Sequence, residues 1–308
     1  MAGAQVVCLL GATGTGKTAA ALALAEAFGG AVVNVDSRQV YAGLAVLTAQ
    51  PTPEEQGRCP HFLYGDTPPD FAVTAGGYAK RARFVVASVL ERGLLPLLVG
   101  GTGLYFRAIL GGLAPIPPVP EEVRRAVARD WDALGPAVMH ERLAVLDPDC
   151  AGRLAPADRQ RVTRALEVRA ATGRTMTEWH EKGDPDAPGW DVLKIGLEAT
   201  LETLAPRLAA RIEAMARSGA VEEVRAALTR HPADAPGLSG IGGPELAAHL
   251  CGERSLEEAK AAWLAATRAY AKRQLTWFRK EPDVRWFSPD DVAGMRDAVA
   301  RWREEGAA

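Results

Sequence analysis

The sequence predicts an α/β fold, a doubly wound parallel sheet carrying a helical insertion domain, and three observations predict it. Short apolar runs alternate with helical patterns over the first hundred residues, as in parallel strands joined by crossover helices. A glycine-rich loop follows the first run and opens a helix. An arginine-rich, strandless stretch bracketed by glycine/proline breakers then interrupts the alternation, and one more apolar run restores it.

Residues 5–10 (QVVCLL) are an apolar run ending at a glycine and read as a buried strand. The alanine-rich stretch Lys17 to Phe28 is helical in composition. AVVNVD at 31–36 is a second, β-branched strand, and HFLYGD at 61–66 reads as a third. Residues 78–92 show helical spacing, and LLPLLVGG at 94–101 is another buried strand. GGLAPIPPVP at 111–120 breaks the pattern; 121–181 is helical, GDPDAPG at 183–189 breaks it again, and DVLKIGLE at 191–198 returns to the sheet. The expected division is a core of 1–114 with 190–308 and a helical insertion of 115–189. From 200 to 280 the pattern is helical, interrupted by the glycine-rich loop GLSGIGGPE at 237–245.

Hydrophobic residues are 48% of the 308 and charged ones 24%, so a soluble chain can bury a real core. A formal net charge of -2 excludes a global positive field, and a nucleic-acid partner would need a local basic patch. Cys8, Cys59, Cys150 and Cys251 show no CxxC or Cys/His metal spacing and read as reduced thiols. No run approaches the ~18 apolar residues of a membrane span, and the opening MAGAQVV carries no basic leader. The expected setting is the cytoplasm, with no membrane association and no obligate protein partner.

The strongest motif is GATGTGKT, comprising Gly11, Ala12, Thr13, Gly14, Thr15, Gly16, Lys17 and Thr18. It fits G-x-x-x-x-G-K-[ST] between a strand and a helix, the context that makes it a P-loop. The glycines let successive N–H groups turn inward as a nest for phosphate oxygens, and the helix N-terminus adds partial positive charge. Lys17 supplies a point charge and Thr18 a hydroxyl for Mg²⁺. Such a loop specifies a polyphosphate, not ATP. LLPLLVGG ends in glycines where a nucleotide hydrolase places a metal-binding Asp, which argues against a hydrolase or motor.

Asp36 directly follows the second strand, and carboxyl ends of parallel strands face the ligand crevice. A carboxylate there can take a proton from an incoming nucleophile; the alternative is an ordinary turn or capping aspartate. Gln39 carries the donor–acceptor pair that can bond an adenine edge. Arg207 and Arg211, one turn apart, are either further phosphate ligands or a solvated basic face. Residues 266–280 carry Arg268, Lys272, Arg273, Arg279 and Lys280 with no acid, interleaved with Trp277 and Phe278. Such a helix either packs its aromatics on the core and solvates its charges, the reading preferred for Trp277, or turns its basic face to phosphates, the reading preferred for the charges. Residues 115–175 balance nine acids against ten arginines, so any footprint there is one face of the insertion.

GATGTGKT at 11–18, DSRQVY at 36–41, LLVGGTGLYFRA at 97–108 and ATRAYAKRQLTWFRK at 266–280, supported by QRVTRALEV at 160–168 and RLAARIEAM at 207–215, run in order along nearly the whole chain. Together they resemble the tRNA dimethylallyltransferase family. The resemblance implies a P-loop-like core with a helical insertion, and a loop that holds the pyrophosphate of dimethylallyl diphosphate. It implies transfer of the dimethylallyl group to N6 of the adenosine 3′ of the anticodon, in tRNAs reading U-starting codons, with release of pyrophosphate. Asp36 matches the family's general base and Thr102 its threonine beside the reacting adenine. Contacts with the anticodon stem-loop fall on Asp36, Ser37, Arg38, Gln39 and Thr102, on Gln160, Arg161, Val162, Thr163 and Arg164, and on Arg124 after the proline-rich hinge. Lys272 and Arg273 join them as phosphate contacts. The chain departs from the family at Ala42, Leu47 and Gln50, and reads Ile241-Gly242-Gly243-Pro244 where the family has Ile-Gly-Tyr.

An adenine amine is a weak nucleophile because its lone pair is delocalised, so it needs a base as the new bond forms. Charge growing on the departing diphosphate needs aimed cations and N–H groups. Two other readings use the same core: a small-molecule kinase, in which Asp36 activates a hydroxyl, and a non-catalytic, nucleotide-switched RNA binder.

Overall fold

In the computed structural model the described residues are 3–183 and 187–307. The chain divides into two compact units, Met1–Leu110 with Pro188–Ala308, and Gly111–Ala187. Residues 184–186 of the GDPDAPG breaker lie outside the described residues.

The first unit runs β1 (Gln5–Leu10), α1 (Lys17–Phe28), β2 (Gly30–Asn34), α2 (Ala45–Thr48), α3 (Pro53–Gln56), β3 (His61–Phe62), α4 (Ala75–Glu91), β4 (Leu95–Gly100) and α5 (Gly103–Leu110). The second unit holds α6 (Glu121–Leu146), α7 (Pro148–Ala151), α8 (Arg159–Thr172) and α9 (Met176–Glu181). The first unit resumes with β5 (Asp191–Leu197), α10 (Leu201–Arg217), α11 (Ala220–Leu228), α12 (Gly243–Leu250), α13 (Leu256–Phe278), β6 (Val284–Phe287) and α14 (Val292–Ala307).

The six strands form one sheet in the order β3-β2-β4-β1-β5-β6, and every pairing is parallel. β1 is central and buried on both faces, which is why it reads as a continuous apolar run rather than an alternating one. One face is covered by α1 and α14: Leu22 and Leu24 pack with Val7, Leu9, Met295, Val299 and Trp302 in a single core. On the loop side of β1, Ala12 packs with Leu204 and Leu208 of α10 and with Ala271 and Leu275 of α13. Helix starts follow local chemistry. Thr74, Thr200 and Ser255 each accept an N–H from the first turn of α4, α10 and α13.

Two readings of the sequence need correction. The third strand is only His61–Phe62, not 61–66, because Leu63 (φ 65°) and Gly65 (φ 57°) take left-handed conformations that turn the chain out of the sheet. β6 and α14 had no counterpart in the sequence reading: β6 is a four-residue edge strand, only partly buried, and alternation that short carries little signal.

In the second unit, Gly135 (φ 77°) followed by Pro136 kinks α6 into two segments. Its core gathers Trp131, Met139, Leu143, Cys150, Val162, Ala165 and Leu166. Asp147, itself buried, caps α7 through Cys150 N and binds both the amide and the hydroxyl of Thr177 (3.0 and 2.6 Å). Among the described residues, no helix is long and apolar enough to cross a membrane.

Candidate active site

The chain leaves β1 at Leu10 and must reverse into α1, and the left-handed glycines Gly14 (φ 83°) and Gly16 (φ 91°) make that reversal. A side chain at Gly14 would also approach Leu208 Cδ2 to 2.9 Å, so the loop packs closely under α10. Thr15 is fully buried and its hydroxyl donates to Ala12 O at 2.9 Å, which closes the turn from inside. Lys17 Nζ folds back on the loop and donates to Gly11 O and Ala12 O at 2.8 and 2.9 Å. Burial lowers Lys17 to about 8, the negative charge of Asp36 opposes the fall, and Arg211 adds to it. Thr18 is exposed on the first turn of α1.

Beyond β2 the chain turns at Asp36. Asn34 is fully buried; its amide oxygen accepts Asp36 N at 2.8 Å, and its Nδ2 donates to Leu63 O and Asp36 O. Asp36 Oδ1 accepts the Arg38 amide at 2.8 Å, an Asx turn that holds the carboxylate at the strand end. The next turn is tied sideways, since Ser37 N donates to Thr102 Oγ1 at 3.0 Å and Thr102 N donates to Val35 O at 3.2 Å.

The GGTG run after β4 is glycine-rich because three neighbours occupy the space of a side chain. A Cβ on Gly100 would lie 2.0 Å from Val35 O, on Gly101 2.1 Å from Gln274 Nε2, and on Gly103 2.0 Å from Trp277 Nε1.

These elements line one cavity of about 620 Å³ at the carboxyl ends of the strands. One part of its wall is polar: Thr13, Gly14, Gly16, Lys17, Thr18, Asp36, Ser37, Arg211 and Arg273. Another part is apolar: Leu47, Leu208, Ile212, Met215, Ile241 and Trp263. Such a wall suits a ligand with a charged head and a greasy tail. Burial pushes Arg211 below the usual arginine value, with Asp36 pulling it back up, and leaves a desolvated cation facing the cavity. Tyr270, raised to about 12 chiefly by burial, also lines the wall and carries the Arg273 guanidinium over its ring at 5.6 Å.

The residues singled out in the sequence do not all meet there. Thr102 stands one step behind the wall, with its hydroxyl holding the Ser37 turn. Arg38 lines the cavity but its guanidinium donates to Pro236 O at 2.9 Å and Ser239 Oγ at 3.3 Å, pinning the 236–239 loop. Gln39 also lines it, yet its Nε2 donates to Thr48 O and Ala49 O (3.2 and 2.6 Å). Both donor hydrogens are thus committed to backbone, and reading both groups of an adenine edge, as the sequence suggested, is not open to this amide. Of the α10 pair, Arg211 lines the cavity, whereas Arg207 is exposed and absent from the wall. Arg273 lines it; Lys272 is exposed elsewhere on α13.

In the second unit Gln160 and Arg161 are exposed and Thr163 and Arg164 half-buried, but Val162 is completely buried in that unit's core. Val162 therefore cannot contact a ligand without unfolding its helix, and its place in the motif is a packing requirement. Arg124, Arg161 and Arg164 pair with Glu121, Asp158 and Glu167 on their own helices or caps (2.8, 3.4 and 3.7 Å).

Sequence reasoning missed Asn34, Tyr270 and Gln274. Asn34 had a visible signal, an amide inside an apolar strand, where burial demands partners. Gln274 and Tyr270 lie in a helix whose charges dominated the pattern. Three departures from the family, Leu47, Gln50 and Gly243, have packing partners in the structure. Gln50 Nε2 donates to Tyr41 O at 2.8 Å, Leu47 and Trp263 fill the space beside Gly242 (φ 97°), and a Cβ on Gly243 would strike Leu238 O at 2.0 Å.

The donor set for a metal is sparse: among the described residues no group of three or more His, Cys, Asp or Glu is placed to hold an ion. Mg²⁺ keeps several waters and takes one or two protein ligands plus phosphate oxygens, so the Thr18 hydroxyl on the cavity wall fits an ion that arrives with a diphosphate.

A family model described as IPP transferase matches residues 39–281, and one described as isopentenyl transferase matches 4–64. A tRNA dimethylallyltransferase of Nitratidesulfovibrio vulgaris (strain DP4) is 50% identical over 303 residues, 98% of each chain. The enzyme of that name from Oleidesulfovibrio alaskensis is 50% identical over 296 residues, 96% of each. Among solved structures, the full-length tRNA isopentenylpyrophosphate transferase of Bacillus halodurans superposes with a TM-score of 0.73 at 31% identity, covering 98% of both chains. A eukaryotic dimethylallyltransferase acting on tRNA gives a TM-score of 0.79 at 24% identity over 97% of this chain and 77% of that one, a likeness of fold.

Proposed function

This chain belongs to the IPP transferase, or tRNA dimethylallyltransferase, family, and from that premise we propose that it transfers a dimethylallyl group from dimethylallyl diphosphate to N6 of the adenosine 3′ of the anticodon. Its substrates in this reading are tRNAs that read U-starting codons, and pyrophosphate is released. The observation that carries the reading is one cavity lined at once by the glycine-rich loop, Asp36 and an apolar wall.

The loop amides, Lys17 and Arg211 hold the diphosphate, and the apolar wall takes the five-carbon tail. The Thr18 hydroxyl would hold Mg²⁺ brought in with the diphosphate, and the ion would supply further charge neutralisation to the leaving group. Lys17 spends two of its three donor hydrogens on Gly11 O and Ala12 O, so it meets phosphate with the third or by exchanging one of those bonds. The adenine leaves its stack to enter the cavity, which an anticodon loop permits at low cost. The N6 lone pair attacks C1 of the allyl group, the C1–O bond breaks, and its electron pair leaves with pyrophosphate. Asp36 accepts the N6 proton, a contribution typically of ~10²–10⁴-fold. The Asx turn and the Ser37–Thr102 bond aim that carboxylate, so Thr102 acts by positioning rather than on the base itself.

The RNA side rests on Arg273 and Lys272 of α13, and on exposed Gln160, Arg161 and Arg124 with Arg164 in the second unit. The solvent-facing ion pairs of Arg124 and Arg161 are worth little, so phosphates can take them over. Cys8, Cys59, Cys150 and Cys251 are all free thiols, which agrees with a cytoplasmic setting.

Incubation with radiolabelled dimethylallyl diphosphate, Mg²⁺ and an unmodified tRNA reading a U-starting codon, followed by digestion, should yield N6-prenyladenosine. Phosphoryl transfer from ATP in the absence of tRNA, with no prenyl product, would assign the site to a kinase instead.

A further inference from the structure

We propose that Gln274 is a positioning residue that fixes the diphosphate loop against the loop carrying Thr102, an inference that rests on the prenyl-transfer reading above. Gln274 is 4% exposed on α13 at the edge of the cavity, and its helix neighbours Ala271 and Leu275 pack with Leu208. An apolar side chain of the same length would suit that company, because a buried amide is costly unless both its ends are bonded.

Both ends are bonded, and to two different loops. Gln274 Oε1 accepts Thr13 N at 2.9 Å, and Gln274 Nε2 donates to Gly101 O at 2.9 Å. Thr13 belongs to the loop after β1, and Gly101 to the loop after β4, one residue before Thr102. Two consequences follow. The Thr13 amide is withdrawn from the nest, so phosphate must be met by the amides from Gly14 onward. The Gly101 loop, which has no room for a side chain beside this amide, is held by the same group, and through Thr102 it holds the Asp36 turn. One side chain therefore sets the separation between leaving group and base. Its neighbour Arg273 faces the cavity on the same helix, so α13 carries both the RNA-side charge and the clamp.

The test compares Q274L and Q274E with the wild type in single-turnover and steady-state transfer, alongside thermal melting. Misalignment by about an ångström costs on the order of 100-fold in rate, so Q274L should lose kcat by roughly that factor while KM for donor and tRNA moves by less than about threefold. Wild-type kcat in Q274L, or a loss confined to KM, would overturn the inference. Q274E guards against a simple folding defect. Its carboxylate accepts from Thr13 N but cannot donate to Gly101 O until protonated, and burial favours protonation. The ratio of Q274E to wild-type kcat should rise as pH falls from 8 to about 5.5, across the range in which a buried carboxyl gains its proton. A flat ratio would contradict the clamp. A wild type that makes no prenyladenosine would overturn the reaction assignment, whereas an active wild type with a full-rate Q274L would overturn the clamp alone.

Discussion

The backbone amide of Ser37 donates to the hydroxyl of Thr102 at 3.0 Å, so the turn that carries Asp36 hangs on the loop after the adjacent strand. Thr102 N returns a bond to Val35 O, and Gly100 lies directly against that same carbonyl. The carboxylate is thus placed by two strand ends at once, which is the rigid support a proton acceptor needs.

Close approach at Gly100 makes a sharp stability test. Gly100→Ala puts a methyl group 2.0 Å from Val35 O, against backbone that cannot swing away. A loss of at least ~1–3 kcal/mol is expected. Gly76→Ala on α4 meets nothing within 4 Å and should be neutral or stabilising by up to ~1 kcal/mol. Denaturant melts of the two variants check the contrast.

Lys17 gives the pH dependence. Its value of about 8 lies below the ordinary 10.5, so the folded protein binds fewer protons there than the unfolded chain between those values. The penalty of burying the ammonium is fully present below about 8 and is relieved as pH rises toward 10.5. Diphosphate needs the ammonium, so above about pH 8 binding must take up a proton. Affinity should fall by up to about tenfold per pH unit there. Calorimetry of dimethylallyl diphosphate binding to wild type and Lys17→Met, the latter reporting the ligand's own titration, isolates the effect.

The arginine pair on α10 should separate cleanly. Arg211 faces the cavity and Arg207 does not. Arg211→Ala is expected to weaken donor binding by roughly 10–100-fold, the worth of a charged hydrogen bond. Arg207→Ala should stay within about twofold, as exposed charges do. Equal effects from both would place the diphosphate elsewhere.

Val162 belongs to the core of the second unit, not to its surface. Val162→Ala should cost ~1.5–3 kcal/mol of stability while leaving the tRNA affinity of the folded protein unchanged. Arg161→Ala with Arg164→Ala should do the reverse, weakening tRNA binding and flattening its salt dependence by about one unit of slope per phosphate contact. Melting curves paired with filter binding at several salt concentrations distinguish the two.

Much of the sheet was legible because buried parallel strands such as β1 and β4 are apolar runs ending at glycine, whereas β5 was legible despite Asp191 and Lys194 because its run follows a glycine/proline breaker. β3 was over-extended, because the left-handed turn at Leu63 is invisible in residue type. β6 was lost, being too short to show alternation. The glycine loop and Asp36 were legible as residues that face one cavity, and of the basic run 266–280 Arg273 faces it with them. What the sequence could not show is where side-chain hydrogen bonds are spent. Gln39 commits its donors to the 48–49 backbone, Arg38 pins a distant loop, and Gln274 bridges two others. Those assignments depend on contacts between segments up to 261 residues apart, which no local pattern encodes.

The most direct test is single-turnover transfer by Asp36→Asn with saturating donor and tRNA. Asparagine keeps the size of the side chain and can still accept from Arg38 N, but cannot hold the N6 proton. The expected result is that both substrates bind with near-normal affinity while the rate of prenyladenosine formation drops by ~10²–10⁴-fold. Turnover at the wild-type rate would contradict the role of Asp36 as the group that receives the adenine proton.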